Sequence, residues 1–287
     1  MPHISLNGTK FYYQQEGNGP DVILVHAATS NMALWMFSGV IEELSQEFRV
    51  TAYDLRGHGM SDITPTGYTS HDMATDLIRL SDALELQPAY LVGHSFGGVI
   101  SLHASTLAPD RFEGIILSDT YFPGLSSIEP NLNKIPIWEK WKNVLVDVGA
   151  PMGDILNFQD LFTAVDSLTS EQMQTLETTL DRFSLRWLLS LARLAKTSCG
   201  NDIFQEAGLT LERIVEYKKP LVALYDEHSA FSATKQFLKE KLSNCIVEDV
   251  PAANHLAPLE NPMVFNGLIH KHLRRMALGP CSGPLRK

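Results

Sequence analysis

At 287 residues, 44% of them hydrophobic, the chain can bury a substantial core, enough for one large α/β domain carrying an insertion. A formal net charge of −10, with no dense Lys/Arg stripe, argues against nucleic acid as a partner. Cys199, Cys245 and Cys281 are odd in number and lack metal-like or C-x-x-C spacing, so neither a disulfide framework nor a zinc site is indicated. Met1-Pro2-His3-Ile4-Ser5 lacks the basic and apolar segments of a secretory signal, and no run approaches membrane-spanning length. A cytoplasmic location away from membranes is therefore expected. In chain order, His3–Leu6 and Lys10–Gln15 alternate as an opening hairpin, with Asn7-Gly8 read as its two-residue turn rather than as a glycosylation site. Asp21–His26 is a buried strand, Trp35–Gln46 a helix and Phe48–Asp54 the next strand. Ser70–Leu86 is a helix with Met73, Leu77, Leu80 and Leu84 on one face. The strand Ala89–Val92 is followed by a small-residue helix that stops before Pro109, then by the strand Gly114–Leu117. After Pro220 come the strand Leu221–Tyr225, a helix near Ser232–Leu242, the strand Cys245–Val250 and a final helix around Met263–Met276. This β-α alternation predicts a mostly parallel sheet with helices on both faces and a site at the carboxyl ends of its strands.

Between the Ala89–Val92 strand and its helix lies Gly93-His94-Ser95-Phe96-Gly97, a G-x-S-x-G sequence. On a sharp strand-to-helix turn a serine takes strained backbone angles and exposes its hydroxyl. Glycines two residues either side let strand and helix pass without Cβ clashes. This is the nucleophile elbow of the α/β-hydrolase superfamily, which the chain resembles in three further places. Val22-Ile23-Leu24-Val25-His26, followed by Ala27-Ala28, is similar to the family's strand and His-Gly turn. Asp54-Leu55-Arg56-Gly57-His58-Gly59-Met60-Ser61 resembles its D-x-R-G-x-G-x-S loop, and Pro251 to Pro262 resembles its terminal G-x-G-H…E-x-P segment. Within the superfamily, Tyr12-Tyr13-Gln14-Gln15-Glu16-Gly17…Gly19-Pro20-Asp21 looks like the start of zearalenone-type lactone hydrolases.

Roles follow from the chemistry. Ser95 needs a base to remove its proton, and His255, between the last strand and the last helix, is the residue positioned to do so. Phe96 heads the helix after the nucleophile and offers one backbone N–H to an oxyanion. By resemblance Ala28 offers the second, although Ala27 stands where glycine is usual in the family. His26 is expected to anchor that turn, and His58 to be a structural member of its loop. No histidines have H-E-x-x-H or similar spacing, so no metal and no cofactor are expected. The acid that orients His255 has two candidate positions. Family habit puts it in a turn just past Leu221–Tyr225, where this chain reads Asp226-Glu227-His228-Ser229, with Ser229 in the acid's place. Some members, including the lactone hydrolases, carry it directly after the strand that follows the elbow helix, where this chain has Asp119. Asp119 is the preferred reading and Asp226 the alternative.

From Pro123 to Val215 no strand is legible, and Leu, Trp and Met recur at helical spacing: Ile137-Trp138, Trp141, Val144-Leu145, Ile155, Phe158, Leu161-Phe162, Phe183, Leu185, Trp187-Leu188, Leu191. Residues 123–215 therefore read as a helical cap inserted between two core segments, 1–122 and 216–276, with 277–287 as a disordered tail. A cap supplies apolar walls and excludes water. The resemblance implies a cofactor-free serine hydrolase acting on a small-molecule carboxylic ester or lactone. Alternatives are a carbon–carbon bond hydrolase on the same fold, or a non-catalytic ligand receptor or regulator on a retained scaffold. Epoxide-opening members need an aspartate where Ser95 stands.

Overall fold

The computed structural model describes residues 2–129, 136–154 and 157–278. Ile155, Cys281 and the tail from 279 onward lie outside the described residues, as do the side chains of Ile137 and Phe183. Eight strands form one sheet: β1 His3–Leu6, β2 Thr9–Glu16, β3 Asp21–Val25, β4 Arg49–Tyr53, β5 Ala89–His94, β6 Phe112–Ser118, β7 Leu221–Asp226 and β8 Cys245–Val250. Their spatial order is β1-β2-β4-β3-β5-β6-β7-β8. The β1–β2 and β2–β4 pairings are antiparallel and every other pairing is parallel. Asn7 and Gly8, both with positive φ, make the two-residue turn of the opening hairpin.

Strand side chains alternate between two apolar layers, because successive residues of a strand point to opposite faces. Ile23, Val25, Leu91, Ile115 and Leu117 pack under the helices Ser70–Ala83 and Phe96–Leu107. Val22, Leu24, Val92, Ile116 and Leu224 pack under Val40–Leu44 and the last helix, Pro262–Leu278. Both faces of the central strands are thus buried, which is why they read as unbroken apolar runs.

Two expectations are corrected. The helix expected over Trp35–Gln46 is two short helices, Ala33–Phe37 and Val40–Leu44. Gly39 between them adopts φ 75°, a left-handed conformation that ends one helix and redirects the chain into the next. The last helix also continues through Ala277 to Leu278, where a disordered tail was expected to begin. Its end is held by the Tyr90 hydroxyl, which donates to the Met276 carbonyl at 3.2 Å.

Between β6 and β7 the described residues form helices and no strand, including Pro136–Asp147, Phe158–Asp166, Ser170–Thr179 and Arg182–Ser190. Thr169 caps the third with a reciprocal bond pair to Gln172, and Asn157 caps the second. The parallel strands direct their carboxyl ends toward one edge of the sheet, and loops from β3, β5, β6, β7 and β8 meet there. β3 lies between β4 and β5, so the loops leaving β3 and β5 diverge and open a crevice.

The elbow depends on backbone proximity. A Cβ added at Gly97 would lie 2.1 Å from the Val25 carbonyl oxygen, and one at Gly93 would lie 2.4 Å from the Gly97 carbonyl oxygen. Neither neighbour is a flexible side chain that can swing away. Gly97→Ala is therefore expected to lower stability by about 2–4 kcal/mol through overpacking. Urea-unfolding midpoints of the two proteins check this, and a variant as stable as the parent would contradict the close approach.

Candidate active site

Ser95 follows β5 and precedes the helix Phe96–Leu107 with φ 52° and ψ −121°, a backbone conformation rare for a residue bearing a Cβ. Its own N–H donates to the Ser118 carbonyl at 2.8 Å, which ties the turn to β6. Its hydroxyl has no hydrogen-bond partner among the described residues and its side chain lines a cavity. The helix head behind it is apolar and fully packed.

The structure brings Asp119 and His255 together. Asp119, directly after β6 at φ 41°, accepts a hydrogen bond through Oδ2 from Nδ1–H of His255 at 2.6 Å. Asp119 is wholly buried and His255 only 4% exposed. With Nδ1 committed to Asp119, Nε2 is the nitrogen left to take a proton. Burial alone would depress the His255 pKa, but the Asp119 bond and charge, helped by Asp226 and Glu260, raise it above the ordinary histidine value. Burial works against the Asp119 charge in turn, and the His255 bond outweighs it and holds this carboxyl below its usual range. Ser229, in the loop after β7, also contributes hydrogen-bonding support to the Asp119 carboxylate. Phe231 of the same loop sits edge-on to the His255 ring, with centroids 5.6 Å apart.

Asp226 takes a different position. As the last residue of β7 it directs Oδ2 at the backbone of the histidine loop rather than at the imidazole. It accepts from the N–H groups of His255 at 2.6 Å and Ala257 at 3.1 Å. Of the two candidate acids, only Asp119 contacts the ring.

The turn after β3 carries the other expected donor. Neither the Ala28 nor the Phe96 N–H has an acceptor among the described residues, and both residues line the cavity beside Ser95. His26 donates from Nδ1 to the Ala27 carbonyl at 2.7 Å and accepts at Nε2 from the Leu55 N–H at 3.0 Å. His58 donates from Nδ1 to the Arg56 carbonyl at 2.8 Å and accepts from the Thr29 N–H at 3.0 Å. Each ring must be neutral to accept such a bond. Burial depresses the His26 pKa to about 4 and, with His26 nearby, the His58 pKa to about 3. Asp54 completes the support by accepting from the N–H groups of Met32 and Met60. Sequence reasoning missed the bond from above: the Trp187 indole N–H donates to the Thr29 carbonyl at 3.0 Å. Its only signal was an indole within an apolar helical stripe, which most often marks simple packing.

The cavity that holds Ser95, His255, Ala28 and Phe96 measures about 680 Å³. From the segment between β6 and β7 it takes Trp138, Trp141, Phe158 and Trp187, and from the core Tyr121 and Phe231. Trp187 lies 4.7 Å from Trp141 and 5.7 Å from Trp138, centroid to centroid. Such a space takes a drug-sized, largely apolar molecule. Among the described residues no three His, Cys, Asp or Glu side chains converge as metal ligands, and no helix is long and apolar enough to cross a membrane.

Residues 20–262 match the sequence profile of the α/β hydrolase fold, and the chain belongs to that family. A 2-(acetamidomethylene)succinate hydrolase from Mesorhizobium japonicum is 38% identical over 106 residues, 37% of this chain and 37% of that protein. Epoxide hydrolase 3 of Siraitia grosvenorii is 32% identical over 123 residues, 42% of this chain and 39% of that protein. Each alignment thus spans well under half of the relative's own length. Among solved structures, an enol-lactonase from Burkholderia xenovorans superposes with a TM-score of 0.68 at 20% identity, covering 95% of this chain and 99% of that one. At that identity the likeness is one of fold.

The opposed pKa shifts separate the buried histidines in one measurement. At pH 5.5, above the depressed values of His26 and His58 and below the raised value of His255, imidazole ¹⁵N spectra should show two neutral Nδ1–H rings and one imidazolium. Protonated His26 or His58 at that pH would refute the bonding pattern of the β3 turn.

Proposed function

We propose that the protein is a serine hydrolase that cleaves a small-molecule carboxylic ester or lactone through an acyl-enzyme. The observation that carries this reading is the 2.6 Å bond from His255 to Asp119, formed beside an elbow serine in the same cavity. In this mechanism Nε2 of His255 takes the Ser95 proton as Oγ attacks the carbonyl carbon, and Asp119 stabilises the imidazolium that forms. The N–H groups of Ala28 and Phe96 donate to the developing oxyanion. The tetrahedral species collapses, the C–O bond to the alcohol breaks, and His255 returns the proton to the leaving oxygen. In a lactone that oxygen stays tethered to the acyl group. Water, deprotonated by His255, then attacks the acyl-enzyme, releases the acid and restores Ser95.

The described helices between β6 and β7 serve as a cap that walls the acyl-enzyme from bulk water, and their three tryptophans face the cavity. Epoxide opening, the activity in the name of one relative, needs a carboxylate nucleophile in this fold, and the elbow of this chain carries Ser95.

Labelling, turnover and variant kinetics test the reading. A fluorophosphonate probe should label the parent protein and not Ser95→Ala, and p-nitrophenyl butyrate turnover should vanish in the same variant. Cleavage of a diketone without ester turnover would instead make it a carbon–carbon bond hydrolase, and a ligand-induced melting shift without any turnover would make it a sensor. Asp119→Asn should lower kcat by about 10³- to 10⁴-fold while the fold survives, because the amide favours the wrong imidazole tautomer and no longer stabilises the imidazolium. Asp226→Asn should change kcat by less than about tenfold, since it touches backbone rather than ring. The reverse ranking of these two variants would move the acid to Asp226.

A further inference from the structure

Two carboxylates grip the chain on either side of His255. Asp226 Oδ2 accepts from the N–H groups of residues 255 and 257, at 2.6 and 3.1 Å. Glu260 Oε2 accepts from those of residues 254 and 256, at 2.7 and 3.1 Å. Four consecutive amides are therefore divided alternately between one buried and one exposed acid. The loop needs this restraint, for His255 has φ 110°, a region that residues bearing a Cβ avoid. Asp226 is only 1% exposed, and its Oδ1 has no hydrogen-bond partner among the described residues. Its own N–H donates to Asp119 Oδ1 at 3.3 Å, so one residue contacts both members of the His255–Asp119 pair. We propose that Asp226, assisted by Glu260, is a positioning residue that holds the histidine loop in its strained conformation and so aims the imidazole at Ser95.

This inference rests on the proposed roles of Ser95 and His255. The charges around the ring bear on its test. Asp119, just after β6, bonds the ring, the Asp226 charge on β7 lies close to it, Glu260 lies beyond in the short helix Ala257–Glu260, and His94 from β5 is 5.2 Å away between ring centroids. His94 is neutral, with its pKa pressed to about 3 chiefly by burial. Burial, with Asp119 alongside, lifts the Asp226 carboxyl to about 7. Whatever fraction of Asp226 is ionised favours the imidazolium, so removing its charge lowers the His255 pKa.

The test measures kcat, KM and the pH dependence of kcat/KM on p-nitrophenyl butyrate for Asp226→Ala and Asp226→Asn, with Ser95→Ala as control. Asp226→Ala removes the acceptor and should lower kcat at least about 100-fold with KM within about threefold. Asp226→Asn keeps a carbonyl oxygen for the two amides and should stay within about tenfold of the parent, with the acid limb of kcat/KM displaced downward by about half a pH unit. Parent-like kcat in Asp226→Ala, or Asn as damaging as Ala, would overturn the proposal. If Asp226→Ala does not fold, Glu260→Ala decides, since it frees the amides of residues 254 and 256 at an exposed position, and parent-like kcat in that variant overturns the proposal. Residual turnover in Ser95→Ala would instead sink the underlying serine mechanism, so the two failures are distinguishable.

Discussion

Three strand ends in this fold carry a residue with a Cβ and positive φ, and the geometry of the site depends on how those ends are held. Ser95 directly follows β5, Asp119 directly follows β6 and His255 lies in the loop after β8, with φ of 52°, 41° and 110°. Such backbone costs of order 1–3 kcal/mol per residue and persists only where the surroundings over-determine it. Each of the three is restrained by the same device, its own N–H donating to an adjacent strand. Ser95 donates to Ser118 on β6, Asp119 to Leu224 on β7, and His255 to Asp226, also on β7. The bonds run β5 to β6 to β7, and back from β8 to β7, so the parallel sheet itself fixes the relative positions of the three side chains. A parallel ladder suits this task because neighbouring strands end level with one another at one edge.

Burial then divides the histidines by their partners. His26, His58 and His94 are all removed from water and lie next to groups that need a neutral ring or add repulsion, and their pKa values fall to between about 3 and about 4. His255 is buried to a similar degree, with its ring against that of His94, yet it moves upward. The difference lies in the carboxylates, since His255 has Asp119 at hydrogen-bond distance and Asp226 and Glu260 close by. One side chain type thus serves as rigid neutral scaffolding in the β3 turn and as a titrating group above the elbow, where the carboxylates outweigh the desolvation that depresses the other three.

Most of the fold was legible because the parallel strands are apolar on both faces and bounded by turn residues. The elbow was legible because close passage of strand and helix needs Gly93 and Gly97. The meeting of His255 with Asp119 was legible from their places, one between the last strand and the last helix and the other just after β6. The break at Gly39 was not, since Trp35 to Leu44 keeps helical apolar spacing across it and only the backbone angle reveals the turn. The bond from Trp187 to Thr29 joins residues 158 positions apart, and no local pattern encodes such a contact. The grip of Asp226 on the histidine loop escaped for a related reason. A carboxylate near a histidine reads as a partner for its ring, and nothing in the sequence says that it binds the backbone instead.

The two acids also explain each other. β6 and β7 pair directly, Leu117 with Ala223 and Ser118 with Leu224, so a side chain just past either strand ends within one strand spacing of the other. A carboxylate can therefore reach the imidazole from β6 or from the loop after β7, but two ionised carboxylates at the ring would repel. In this chain Asp119, just past β6, is the carboxylate bonded to the ring, while Ser229, in the loop position that could have held an acid, is a neutral group that helps hold the Asp119 carboxyl low. That arrangement frees the last residue of β7 for the backbone of the His255 loop. Asp226 can then lie against Asp119 without equal charge, because burial and that neighbour lift its own pKa while the two amide donors oppose the rise. The division of labour between ring and loop is thus what allows two aspartates to occupy one buried corner of the site.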